Sequence, residues 1–191
     1  MDNRHSLRRK LLKGAAGIVA ALPFLKLQQA AAATDDPKKM RPQEGDHFVH
    51  YKGKRKGEIV RLEDLPLGGP QVVAWPVTPD GEIVRRGSRL NQVMLIRLAP
   101  ESIDEDTQPF AADGVLAYSS VCAHQGCPVS AWLPDKQWFA CTCHDSQYDP
   151  AAKAKVVNGP APRRLAILPM RLDNDVPTAA GEFDGRVGVK R

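Results

Sequence analysis

Cys122-Ala123-His124-Gln125-Gly126-Cys127 and Cys141-Thr142-Cys143-His144 hold every cysteine in the 191-residue chain, and each stretch carries one histidine. The two stretches lie about seventeen residues apart. Read as a C-x-H clamp and a C-x-x-H clamp, they offer two thiolates and two imidazoles from Cys122, His124, Cys141 and His144. Cys127 and Cys143 are left over, one in each stretch. Thiolate and imidazole together are donors for zinc and iron, so the spacing points to a metal site.

Two cysteines and two histidines suit either a tetrahedral zinc site or an iron-sulfur cluster with one iron on sulfur and the other on nitrogen. Zinc gives no role to the matched extra cysteine in each stretch, and C-x-H is tighter than the usual C-x2-4-C spacing. As they stand, C-A-H-Q-G-C and C-T-C-H-D-S-Q-Y-D closely resemble the two cluster-binding loops of Rieske [2Fe-2S] proteins, which read C-T-H-x-G-C and C-P-C-H-G-S-x-Y. The resemblance implies an all-β, antiparallel Rieske-type domain with a cluster-binding subdomain built from two loops. It implies Cys122 and Cys141 as ligands of a buried iron, His124 and His144 as ligands of an outer iron, and a Cys127–Cys143 disulfide between the loops.

Neutral imidazoles in place of two thiolates make electron uptake easier. They move the potential to about −150 to +300 mV, against about −400 mV for all-cysteine plant-type clusters. Ser146 and Tyr148 fall where high-potential members of the family place a hydroxyl against a bridging sulfide and a phenol against a cysteine sulfur. Both are hydrogen-bond donors that tune a cluster. Gly159-Pro160-Ala161-Pro162 is similar to the family's third, cluster-shielding loop, and its prolines keep it out of any β ladder. There are two departures. Asp145 replaces the glycine usual after the second histidine, and Gln125 replaces the apolar Leu with which quinol-oxidising complexes dock on a membrane cytochrome.

The chain is long enough for one ordinary core, with 42% hydrophobic residues and no internal repeat. Its net charge of +5 hints at nucleic acid until it is located. Residues 1–33 hold six Lys or Arg against one Asp and so carry the whole excess; no nucleic-acid partner is implied. Those residues have the layout of an export signal: a basic start, an apolar run from Gly14 to Leu25, and small residues Ala30 to Ala33. Ser6-Leu7-Arg8-Arg9-Lys10-Leu11-Leu12 resembles the twin-arginine motif, an address for proteins folded before export. A retained membrane helix is the other reading, but Pro23, Lys26, Gln28 and Gln29 interrupt the run well short of about twenty apolar residues. The expected location is the periplasm or another exported compartment, at the outer face of the inner membrane if the segment is retained. Disulfides persist there.

Residues 34–57 are polar and Pro/Gly-punctuated and read as an arm or linker, with a basic cluster at Lys52 to Lys56. From Glu58 to the end, residues 58–191 read as the Rieske domain. Strands are predicted around Glu58–Leu62, Gln71–Trp75, Val93–Leu98, Val115–Tyr118, Ala154–Val157, Leu165–Leu168 and Val187.

Three function classes follow. The first is an exported electron-transfer subunit resembling the small subunit of arsenite oxidase, relaying electrons from a molybdopterin catalytic partner to a cytochrome-type acceptor. The export signal, Gln125, the compact spacing from Cys127 to Cys141 and the tail Ala179–Gly188 favour it. The second is the Rieske subunit of a ubiquinol-cytochrome c reductase of the bc1 type, with His144 contacting quinol; Ser146, Tyr148 and the Gly159–Pro162 loop favour it. The third is a ferredoxin or ring-dioxygenase domain, which usually lacks the extra cysteine pair. A dioxygenase also needs a 2-His-1-carboxylate iron centre, for which only His5, His47 and His50 remain.

Overall fold

The computed structural model describes residues 36–189, so segment 1–33, expected from its sequence to be an export signal, lies outside the described residues. Val93-Met94-Leu95-Ile96 and Val115-Leu116-Ala117-Tyr118 lack polar alternation, the pattern of strands covered on both faces. They form β3 (Val93–Arg97) and β4 (Val115–Ser119), antiparallel neighbours with Met94 opposite Tyr118 and Leu95 opposite Ala117. With β1 (His47–His50), β2 (Val72–Val77) and β9 (Ile167–Leu168) they build a five-stranded sheet in the order β1-β2-β3-β4-β9. A second antiparallel sheet is a plain meander of β5 (Ala131–Leu133), β6 (Trp138–Cys141), β7 (Ser146–Asp149) and β8 (Lys155–Asn158). β10 (Met170–Asp173) and β11 (Val176–Ala179) pair as a separate ribbon. The fold is all-β. Among the described residues the only helical pieces are three-residue 3-10 turns, and no helix is long and apolar enough to cross a membrane.

Successive residues of a strand point to opposite faces, and both faces of β3 and β4 are dry. Val93, Leu95, Val115 and Ala117 join Phe48, Val60, Leu168 and Met170 in one apolar cluster. Met94, Ile96, Leu116 and Tyr118 join Phe139, Tyr148, Cys122 and Cys141 in the other. Burying a Leu, Ile or Phe side chain is worth about 1.5–3 kcal/mol, so two of the cysteines are seated in a packed core rather than on a free loop. Tyr118 ties the two sheets together: its hydroxyl donates to the Pro150 carbonyl at 2.6 Å, and its ring meets Phe139 edge-on at 5.7 Å. Burial pushes the Tyr118 phenol well above its ordinary pKa, which keeps it a donor. On the other flank, a Cβ on Gly69 (φ +83) would lie 2.6 Å from the Trp132 ring, so only glycine lets that backbone press on β5.

The segment read as a polar arm is part of the fold. β1 lies inside it as an edge strand, with Phe48 fully buried. Asp46 forms a buried, two-pronged ion pair with Arg85, at 2.5 and 3.0 Å. Two apolar residues between histidines are too short a run to register as a strand. The folded unit therefore starts before Glu58. The strand expected at Glu58–Leu62 shrinks to one bridge between Ile59 and Val49. There the Asp64 carboxylate takes the Arg61 N–H at 2.8 Å and turns the chain into a 3-10 turn, Leu62–Asp64. No strand forms around Val187, where Gly185 (φ 102) and Gly188 (φ 70) break the extended run.

Candidate metal centre

The two cysteine stretches sit at the same end of the second sheet. Ser120 leaves β4 with its N–H on the Gln92 carbonyl and its hydroxyl on Gln92 Oε1 at 2.9 Å. The first loop then closes on itself: Cys122 N–H donates to Cys127 O at 2.8 Å, Gly126 N–H to Cys122 O at 3.0 Å, and Val129 N–H to Ser120 O at 2.8 Å. The second loop is the hairpin turn Thr142 to Asp145, set by the pairing of Cys141 with Ser146. Asp145 sits in the left-handed region at φ 54, the conformation for which a glycine is the usual solution.

Cys127 and Cys143 are joined by a disulfide with a Cα–Cα distance of 6.5 Å, which links the two loops. Cys122 and Cys141 are free thiols, each 1% exposed. The Sγ atoms of Cys127, Cys141 and Cys143 lie within 4.8 Å of one another, but the disulfide occupies two of them, leaving Cys141 as the donor. Burial pushes the Cys141 thiol up, and N–H groups of Cys143 and His144 work against that shift. His124 is half-buried, His144 is exposed, and their rings meet edge-on at 4.7 Å. The four side chains thus form a graded set, with the two sulfurs innermost, His124 between and His144 at the surface.

Tyr148 lies beneath the first loop. Its hydroxyl is 3.1 Å from Cys122 Sγ and accepts the Ala123 N–H at 3.3 Å. Burial, followed by the Cys122 contact, raises the Tyr148 phenol far above its ordinary value, so it remains a neutral donor. Ser146 is 1% exposed, and its Oγ has no hydrogen-bond partner; neither has His124 Nδ1. Buried polar atoms are seldom left unpaired, and these two fit a polar group held between the loops. Two buried thiols, a half-buried and an exposed imidazole, and an unpaired serine hydroxyl suit a metal-sulfur centre with mixed ligands.

Gly159, at φ 85, packs directly on the second loop: a Cβ there would lie 2.5 Å from Asp145 O. Ala161 joins the apolar cluster of Cys122 and Cys141, while Pro160 and Pro162 face solvent. Gln125 is exposed at the tip of the first loop. His47 and His50 lie on β1, occupied by Thr178 at 3.1 Å and Asp64 at 3.4 Å. Sequence reasoning missed the Gln92–Ser120 clasp, the Tyr118–Pro150 bond and Asn158, which donates to Asp145. None of these has a local signature, since each partner is distant in the chain.

Residues 78–169 match the family model described as the Rieske [2Fe-2S] domain. The cytochrome bc1 complex Rieske iron-sulfur subunit of Streptomyces coelicolor is 38% identical over 192 residues, covering 95% of this chain and 53% of that protein. The subunit of the same description from Mycobacterium tuberculosis (strain H37Rv) is 34% identical over 145 residues, covering 68% of this chain and 34% of that protein. The chain thus spans between about a third and a half of the length of these relatives. Among solved structures, one described as a hyperthermophilic respiratory Complex III matches with 26% identity and a TM-score of 0.42, over 62% of this chain and 70% of that one.

Proposed function

Because the chain carries a Rieske [2Fe-2S] domain, we propose that it is the electron-transfer subunit of a cytochrome bc1-type complex, taking electrons from a quinol and passing them to a cytochrome acceptor. The observation that carries this reading is the relatives, 34–38% identical and described as cytochrome bc1 complex Rieske subunits. They favour it over the arsenite-oxidase-like reading that Gln125 and the tail suggested from sequence. In this reading Cys122 and Cys141 hold one iron of the cluster and His124 and His144 the other, and export of the folded subunit is directed by residues 1–33.

When bound, the cluster would supply one-electron chemistry at a higher potential than an all-cysteine [2Fe-2S] cluster. The chain's own residues set the conditions. The apolar cluster around Phe139 and Leu165 keeps water from the two thiols. The Cys143 and His144 N–H groups stabilise charge on Cys141 sulfur. Once Cys122 sulfur is a thiolate it has no proton to give, and the Tyr148 hydroxyl 3.1 Å away would be its donor; Ser146 offers an uncommitted hydroxyl from inside the fold. His144, exposed at the tip, would present an imidazole edge to the quinol.

The test uses native membranes. The subunit should co-purify with a cytochrome b, be reduced by added quinol, and change its reduced-state electron paramagnetic resonance when a quinol-site inhibitor binds. The second reading keeps one specific observation, the exposed polar Gln125 at the tip. It requires co-purification with a large molybdopterin subunit and a resonance that quinol-site inhibitors leave unchanged.

A further inference from the structure

Asp145 follows His144 directly, in a backbone conformation that Gly, Asn and Asp tolerate best. Its side chain is fully engaged. Oδ1 accepts the Gln147 side-chain amide at 2.9 Å, and Oδ2 accepts Asn158 Nδ2 at 3.1 Å. The same Asn158 nitrogen lies 3.1 Å from the Asp145 main-chain oxygen. Asn158 is the last residue of β8 and immediately precedes Gly159, whose backbone presses on Asp145 and Ser146 so closely that a Cβ would lie 2.6 Å from Ser146 Cα. A polar contact and a side-chain-free contact therefore act at one point. The disulfide joins the first loop to the second; the second loop and the Gly159–Pro162 segment are held together at this point by non-covalent contacts.

We propose that Asp145 and Asn158 are positioning residues: a clasp that locks the His144-bearing loop to the Gly159–Pro162 segment and keeps the Ser146 side of the site closed to water. The inference rests on the proposed ligand set, because the clasp protects what His144 holds. Both residues are exposed, so their loss is read as local opening rather than global unfolding.

The experiment compares the parent holoprotein with Asp145→Gly, which tolerates the left-handed backbone and removes the side chain, Asn158→Ala and Asp145→Asn. Two rates are followed: bleaching of the visible absorbance by an iron chelator, and hydrogen exchange of the amides of residues 145–147. Asp145→Gly and Asn158→Ala should both bleach and exchange about fivefold to tenfold faster, the scale of one or two lost hydrogen bonds. The urea unfolding midpoint should stay near that of the parent. Asp145→Asn keeps an acceptor oxygen for Asn158 and should retain protection within about twofold of the parent. An Asn158→Ala variant that matches the parent in both rates overturns the clasp. So does Asp145→Asn opening as fast as Asp145→Gly, since charge rather than the contact would then be responsible. A parent that purifies without the chromophore defeats the ligand reading alone, and the exchange rates still decide the clasp.

Discussion

The Tyr148 hydroxyl stands 3.1 Å from Cys122 Sγ while accepting the Ala123 N–H at 3.3 Å, so with Cys122 as a thiolate ligand its proton would have the sulfur as its acceptor. A donor to sulfur stabilises the more electron-rich, reduced state. Tyr148→Phe should lower the midpoint potential by about 40 mV, the equivalent of about 1 kcal/mol for a one-electron couple. Protein-film voltammetry checks it.

Ser146→Ala probes the unpaired buried hydroxyl. Its Oγ has no partner in the protein, so its removal costs the fold no hydrogen bond. The expected result is an unchanged unfolding midpoint with a potential lowered by tens of millivolts, on the same conversion. Combined with Tyr148→Phe, the loss should be partly additive, because both side chains lie on β7 in one site and are not independent.

Cys127→Ser removes the cross-link between the loops. Its two ends are 16 residues apart, a span for which the chain-entropy estimate is about 3 kcal/mol. The variant should hold a cluster of the same type that bleaches faster, with a lower thermal midpoint. Calorimetry and absorbance during heating measure both.

Arg85→Leu should be more damaging than most single changes. It strands the buried Asp46 carboxylate and releases the Pro37 carbonyl that Arg85 also holds. Removing one member of a buried pair costs about 3–5 kcal/mol. Chemical denaturation reads the loss, and it should appear without a change in cluster spectrum, since the pair lies on the N-terminal flank.

Asp64 links stability to pH. Burial alone would raise its carboxyl, but the Arg61 N–H and the Arg55 and His50 side chains outweigh it and hold the group below its ordinary value of 3.8. A depressed folded-state value gives stability that is fully present above the unfolded-state pKa and is lost as pH falls through the folded one. The parent should therefore lose stability below about pH 4 more steeply than Asp64→Asn. Urea midpoints between pH 2 and pH 6 would show parallel curves if Asp64 carried no such linkage.

Much of this was legible in the chain. The long runs at Val93 and Val115 announced strands, though not that both of their faces are covered, and the two cysteine stretches announced the family. Short elements were not legible. β6 ends in a cysteine and β7 begins at a serine, so neither has an alternating pattern, and each exists because the hairpin turn between them is fixed by tertiary contacts. β1 was hidden by its polar flanks, and its burial depends on β2 and β11 rather than on its own composition. Asp145 was visible as a departure, but its engagement with Asn158 needed the fold, since the two are 13 residues apart.

The central claim is that Cys122, Cys141, His124 and His144 hold a [2Fe-2S] cluster with sulfur on one iron and nitrogen on the other. Nitrogen hyperfine spectroscopy of the reduced protein, paired with iron and acid-labile sulfide analysis, tests it most directly. The account predicts equal iron and sulfide, as the cluster formula requires, and coupling to two histidine nitrogens, lost with the cluster in His144→Ala and Cys141→Ala. A colourless protein with stoichiometric zinc, or a cluster without nitrogen coupling, would contradict it.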